Sequence, residues 1–206
     1  MANDNFPRGL VPLRWPFTSG NWYRVGTAAD LFIGMPVELA STGYIGPVPV
    51  DSAGAVQTIG VVMQFAGTQK RGLATNDPFL DVSDLVPPDP TSDTGDRFAF
   101  VVDDPDAEFV MQGDTGGTLA TLADVGQAFV GIYRSAGSGN TSTGWASLEL
   151  DASSNVASNS GFFQVLRLHD IVNQDGTENT AGANYAKWVG RLLHHQKRSG
   201  LNPIPA

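Results

Sequence analysis

From Trp22 to Phe65 the apolar residues fall in short clusters, NWYRV, MPVEL, GYIGPVPV and TIGVVMQF, rich in Val, Ile, Tyr and Phe and bounded by Gly, Pro, Asp or Ser. Such runs predict β-strands. Partial alternation in MPVEL and GYIGPVPV indicates half-buried antiparallel strands, whereas GVVMQF reads as buried on both faces. Pro36, Pro47 and Pro49 must then sit on edges or at strand starts. RFAFVVDD and EFVMQG resume the strand pattern on either side of DPDA, a spacing that predicts an antiparallel hairpin. QAFVGIYRS, GWASLELD and FFQVLRLHDIV follow as strands, separated by turns of Gly, Ser, Asn and Thr. One short helix is expected where Thr118 offers a cap and Leu119, Leu122 and Ala123 repeat at helical spacing as far as Asp124. NYAKWVGRLLHHQ fits a helix or a strand by periodicity. Gly182 and Gly190, poor in helix interiors, favour the strand.

The fold class expected is all-β: a single antiparallel barrel or sandwich of about ten short strands with one short helix, spanning residues 23–206. Before it, residues 1–22 form an extended arm, because Pro7, Pro12 and Pro16 forbid a helix while Phe6, Leu10, Val11, Leu13, Trp15, Phe17 and Trp22 interleave as apolar positions. Burying those side chains roughly offsets the cost of ordering the backbone, so the arm needs a surface, its own domain or a neighbouring subunit. We expect it to be mobile in the free protein and ordered on its partner. Residues 66–96 are an acidic, proline-rich loop, longer than a structureless connection in a compact domain usually is.

Composition sharpens this picture. The 206 residues contain 24 Gly, 13 Pro and only 16% charged residues, which suits many turns and few long helices. Without Cys there is no disulfide and no thiolate chemistry. The net charge of −9 opposes binding to nucleic acid or anionic lipid, and no apolar run approaches the ~20 residues of a membrane span or the pattern of a signal peptide. A soluble protein that contacts neither membrane nor nucleic acid is expected. Charge is uneven: residues 72–130 hold twelve acids and the single base Arg97, while Lys187, Arg191, Lys197 and Arg198 form a basic stretch near the end.

No motif carries catalysis. Gly113-Asp114-Thr115-Gly116-Gly117 resembles a nucleophile loop, but His169, His194 and His195 all follow Thr115, the reverse of the chymotrypsin-type order. In PPDPTSDTGD, residues 87–96, Asp89, Asp93 and Asp96 suggest calcium, yet Thr94 stands where a turn glycine is needed and Phe100 where a bidentate Glu is needed. Asn173, Asp175 and Glu178 are accounted for by a type I′ turn at Asp175-Gly176. Adjacent His194 and His195 on a strand point to opposite faces, so one is expected to pack and the other to hydrate. No catalytic residue, metal site or cofactor is expected.

The C-terminal third resembles structural proteins that decorate or cement the heads of tailed bacteriophages. The resemblance rests on Gly144-Trp145-Ala146-Ser147, Leu150-Asp151, Phe163-Gln164-Val165-Leu166, Glu178-Asn179, Gly182-Ala183 and His195, with residues 118–126 upstream, and covers roughly residues 115–200. The basic HHQKRS ending, the acidic loop and the arm depart from that pattern. What the resemblance implies is a virion protein, made in the host cytoplasm, that sits on the outer capsid surface and clamps neighbouring subunits of the major capsid protein. On this reading Phe6, Trp15, Phe17 and Trp22 are apolar anchors to the capsid, and Arg8 and Arg14 meet acidic capsid surface. A homo-oligomer, most simply a trimer, is expected, with Arg191, Lys197 and Arg198 of one copy facing Asp77, Asp81 or Asp84 of the next. The alternatives are a glycan-binding module and a head–tail or fibre component.

Overall fold

The computed structural model describes residues 3, 5, 7–14, 19–25, 30–50, 57–67, 97–115, 120–134, 138–140, 142–154 and 161–197. Within them the chain is all-β. Its strands are β1 (Val11–Pro12), β2 (Asn21–Arg24), β3 (Pro36–Leu39), β4 (Ile45–Pro47), β5 (Gly60–Gly67), β6 (Arg97–Val102), β7 (Phe109–Gln112), β8 (Ala128–Phe129), β9 (Gly131–Tyr133), β10 (Leu148–Leu150), β11 (Phe163–Leu168) and β12 (Lys187–Leu192). One five-stranded sheet runs β1-β7-β12-β11-β8, a second runs β2-β6-β5-β3-β4, and β9 and β10 form a two-stranded ribbon. All these pairings are antiparallel. The arrangement is sandwich-like. The second sheet curls until Val25, just past β2, bridges Ile45 of β4, but it does not close into a barrel.

One core serves all three sheets, with Phe32, Phe109, Phe129, Phe162, Phe163 and Trp188 among its largest fully buried side chains. β11 puts Phe163 and Val165 inward by simple alternation. In β5 the consecutive burial of Val61, Val62 and Met63 coincides with a register shift between Val62 and Gln64. Pro36 opens β3 and Pro47 ends the edge strand β4, where a missing N–H breaks no ladder. The segment 187–192 is a strand, and Gly190 is required there for a reason beyond propensity. A Cβ at this position would run into the backbone carbonyl of Gln164 on β11 and lie 2.5 Å from the Phe163 ring.

Three local expectations are corrected. β6 and β7 do not form a hairpin: β6 is flanked on both sides by β2 and β5, so it has no edge to offer, and β7 joins the first sheet between β1 and β12. Residues 103–108 are therefore a corner that carries the chain between sheets. The expected helix is a single 3₁₀ turn, Leu122–Asp124, entered at Thr121, whose N–H and hydroxyl both donate to the Asp124 carboxylate at 2.7 and 3.0 Å. Thr118 lies outside the described residues. The turn at 173–177 is not type I′, because Asp175 is not among the residues with positive φ. Gly176 N–H donates to Asn173 O and Asn173 N–H to Thr177 O, with Gly176 at φ +81°, the geometry of a type I turn followed by a glycine bulge.

The described part of the arm is seated on its own domain. Leu10 is fully buried and Leu10 N–H donates to Gly34 O, β1 pairs with β7, and Asn3 is 4% exposed. The Asn3 amide donates to Thr180 O and Asn184 O and accepts from Thr180 N–H and Asn173 Nδ2. A buried amide satisfied in this way fixes the chain where apolar burial alone leaves it near balance. The arm also ends early, since Trp22 already belongs to β2.

Candidate binding surface

The buried carboxylates among the described residues gather at two clasps. At the corner after β6, Asp103 is 2% exposed and its Oδ2 accepts from Asn21 Nδ2 at 2.7 Å, from the Tyr23 hydroxyl at 2.5 Å and from Lys197 Nζ. Burial works against ionisation of Asp103, yet the bonds from Lys197, Tyr23 and Asn21 outweigh it and hold the carboxyl below its usual range. Burial, reinforced by the bond to Asp103, pushes the Tyr23 phenol up. The same tail is held by Gln196, whose amide exchanges two hydrogen bonds with the backbone of Leu39 at 2.9 and 3.0 Å, and by the bridge of His195 to Thr58. Residues 194–197 thus strap β12 of one sheet to the second sheet.

The other clasp joins β7 to the β9–β10 ribbon. Arg134 donates from Nε to Glu149 at 2.6 Å and from Nη2 to Asp114 at 2.9 Å. Gln112 donates to Glu149 at 2.7 Å and to Asn5 of the arm at 3.0 Å, and Asp114 accepts the Ala152 N–H at 3.2 Å. Burial raises the Glu149 carboxyl despite Arg134 and Gln112, while the bond to Glu149 raises Arg134. Asp114 of the glycine-rich loop is therefore a structural anchor. These residues lie far apart in sequence, and the only local cue was the oddity of an Asp between Gly113 and Thr115.

Of the 194–195 pair, His195 packs, 1% exposed and accepting the Lys197 N–H at Nδ1, while His194 is half-buried with its Nε2 turned inward. Among the described residues, no three His, Asp or Glu side chains come together as a metal site would require. Asp175 is engaged by the N–H and hydroxyl of Thr177 at 2.9 and 2.6 Å, which hold its carboxyl below the usual range.

Of the residues expected to meet a capsid, Phe6, Trp15 and Phe17 lie outside the described residues. Arg8 is exposed, with its guanidinium 5.7 Å from the centre of the Trp145 ring, and Arg14 is exposed at the end of the arm. Trp22 is 47% exposed and meets Phe100 edge-on at 5.5 Å, opposite it in the β2–β6 pair. Of the residues expected between subunits, Lys197 bonds Asp103 of its own chain and Arg191 donates to Gln164 at 3.1 Å. Arg198, Asp77, Asp81 and Asp84 lie outside the described residues.

The outward features are of two kinds. β2 is the outermost strand of its sheet, and no further strand pairs with its outer side among the described residues. Trp22 rides on that edge. Elsewhere a groove of about 390 Å³ opens between the arm, the β7–β12 pair and the loop 169–174, with Ile171 and Val172 standing 37% and 61% exposed at its mouth. Burial lowers the pKa of His169, which lines the groove, and the neighbouring Arg167 and Lys187 lower it further. No family model, no curated protein and no solved structure matches the chain. No helix among the described residues is long and apolar enough to cross a membrane.

Proposed function

We propose that this chain is a structural virion protein that binds the outside of a tailed-phage capsid and clamps neighbouring subunits of the major capsid protein, acting as a closed homo-oligomer. The observation that carries this reading is the exposed Trp22 on β2, the outermost strand of its sheet, whose outer side meets no further strand among the described residues. An unpaired strand edge accepts an extended segment of another chain, and an exposed tryptophan is the side chain most often found at the energetic centre of an interface. Support comes also from residues of the resemblance to decoration proteins that tie the body together. Gly144 and Gly182 hold positive φ, Phe163 and Val165 fill the core, and Asn179 accepts the Lys187 N–H while donating to His169 O and Lys187 O. A body so cross-tied suits mechanical reinforcement of a shell.

Cosedimentation of the purified chain with heads of the phage that encodes it tests the proposal. Trp22→Ala is expected to weaken association about 10- to 30-fold, the effect of a hot-spot residue, without lowering the melting temperature. Equal cosedimentation of both proteins would remove Trp22 from the interface, and absence of cosedimentation by the wild type would refute capsid binding. An exposed tryptophan also stacks on sugars, so retention of the wild type on immobilised host polysaccharide would favour the glycan-binding reading instead.

A further inference from the structure

The Asp103 clasp joins two features from opposite ends of the chain, the strand that carries Trp22 and the strap that ties the two sheets. Alternation along β2 sends Asn21 and Tyr23 to one face and Trp22 to the other. On the first face both side chains donate to the same oxygen, Asp103 Oδ2, at 2.7 and 2.5 Å. On the second, Trp22 stands 47% exposed with its ring edge-on to Phe100. The two neighbours of the exposed tryptophan are therefore its anchors, and a single buried carboxylate holds them both.

The anchorage matters because β2 is an outermost strand. Among the described residues it pairs with β6 alone, over Asn21–Arg24. Its far end is fastened by Val25, 2% exposed and bridged to Ile45. The near end, where Trp22 lies, depends on Asp103 and on an exposed bond from the Ser19 hydroxyl to Asp104 at 3.1 Å. Asp103 is 2% exposed, and a carboxylate so buried needs a countercharge to stay ionised. Lys197 supplies it as the third donor to Oδ2. Lys197 follows Gln196, whose N–H donates to Thr58 O at 2.7 Å and whose side chain is bonded to Leu39. The charge that seats the Trp22 edge thus hangs on the strap.

We infer that Asp103 is the positioning group of the Trp22 edge, and that residues 194–197 are coupled through Lys197 to the capsid segment bound there. A seated strap presents the edge, and an occupied edge tightens the strap. Coupling between two sites is reciprocal by thermodynamic necessity, so both directions are measurable. This inference rests on the β2 interface of the proposed function.

Amide hydrogen exchange on the full chain tests the positioning without any capsid. Lys197→Met is expected to accelerate exchange of the β2 amides by about 10-fold, and Lys197→Arg, which keeps the charge, to restore most of the protection. Arg134→Met weakens the other clasp and lowers global stability, yet it is expected to leave β2 exchange within about twofold of wild type. Exchange at β2 unchanged by Lys197→Met, or raised equally by Arg134→Met, would overturn the positioning role. Cosedimentation with phage heads then tests the coupling: Lys197→Met is expected to bind about 5- to 10-fold more weakly, and heads are expected to slow exchange of the Gln196 amide in the wild type. Heads that protect β2 but leave Gln196 unchanged would overturn the coupling and leave capsid binding standing. A wild type that does not cosediment would refute the capsid partner and the coupling with it, while the exchange result in the free chain still decides the positioning role of Asp103.

Discussion

Replacing Arg134 with Met removes a cation shared by two carboxylates whose side chains are 2% and 4% exposed. Removing one partner of a buried ion pair costs about 3–5 kcal/mol, because the remaining charge is left without compensation. The Arg134 side chain is itself 38% exposed, so solvent screens part of the interaction, and the loss expected at pH 7 is ~2–4 kcal/mol. For a chain of this length that lowers the melting temperature by on the order of 10 °C. The pH dependence has a definite sign. Burial already holds Glu149 above its ordinary value of 4.5, so its folded form binds a proton more tightly than its unfolded form. The associated stability is present below the unfolded pKa and is lost as pH rises through the folded one. Without Arg134 the folded pKa rises further, so the deficit of the variant is greatest at pH 7–8 and shrinks towards pH 5, where Glu149 takes up a proton. Urea unfolding followed by tryptophan fluorescence at pH 5, 6, 7 and 8 measures this, and adding Glu149→Gln to the variant is expected to restore at least half the loss at pH 7. A deficit below about 1 kcal/mol, or one equal at pH 5 and pH 8, would refute the view of this cluster as a charge-dependent clasp.

Other perturbations follow from the same structure. Leu10→Ala, in the arm but fully buried, is expected to cost about 2–5 kcal/mol in urea unfolding, whereas a change below 1 kcal/mol would detach the arm from the core. Gly190→Ala forces a methyl group against Phe163 and is expected to cost about 1–3 kcal/mol, read as a lower denaturation midpoint at unchanged slope. Lys197→Met releases the strap from Asp103, so amide exchange at Gln196 is expected to accelerate. Because the Asp103 carboxyl is held below its ordinary 3.8, the tie is present above that value and is lost as pH falls through the lower folded pKa; the effect of the substitution therefore persists from pH 5 to pH 8 and fades in strong acid.

The strands were legible because burial on one face imposes alternation that a reader of the chain can see: Phe163 and Val165, Trp188 and Leu192, and the prolines at strand limits all spoke locally. The 97–112 hairpin was misread because pairing depends on which edges are already taken, and β2 and β5 come from outside the local window. The 3₁₀ turn shows the same limit, since Thr121 meets the Asp124 carboxylate and the helical run is a single turn, Leu122–Asp124. The clasps were hidden more deeply. Asp103 and Lys197 lie 94 residues apart, and Asn3 and Asn184 lie 181 apart, so only the fold brings them together. The exposed Trp22 was named from its place in an apolar arm, and the structure moves it onto a sheet edge, where its exposure has a different cause. The groove had no sequence signal, because its walls come from the arm, two strands and a loop that meet only in three dimensions.

The most direct test of the proposed capsid decoration is a cryo-electron microscopy map of tailed-phage particles prepared with this chain. Capsid decoration predicts copies of this all-β body on the outer face of the shell, seated across the junctions between capsid subunits, with Trp22 and the β2 edge buried against capsid protein. Density for the chain at the tail, inside the head, or on the shell with β2 turned towards solvent would contradict it.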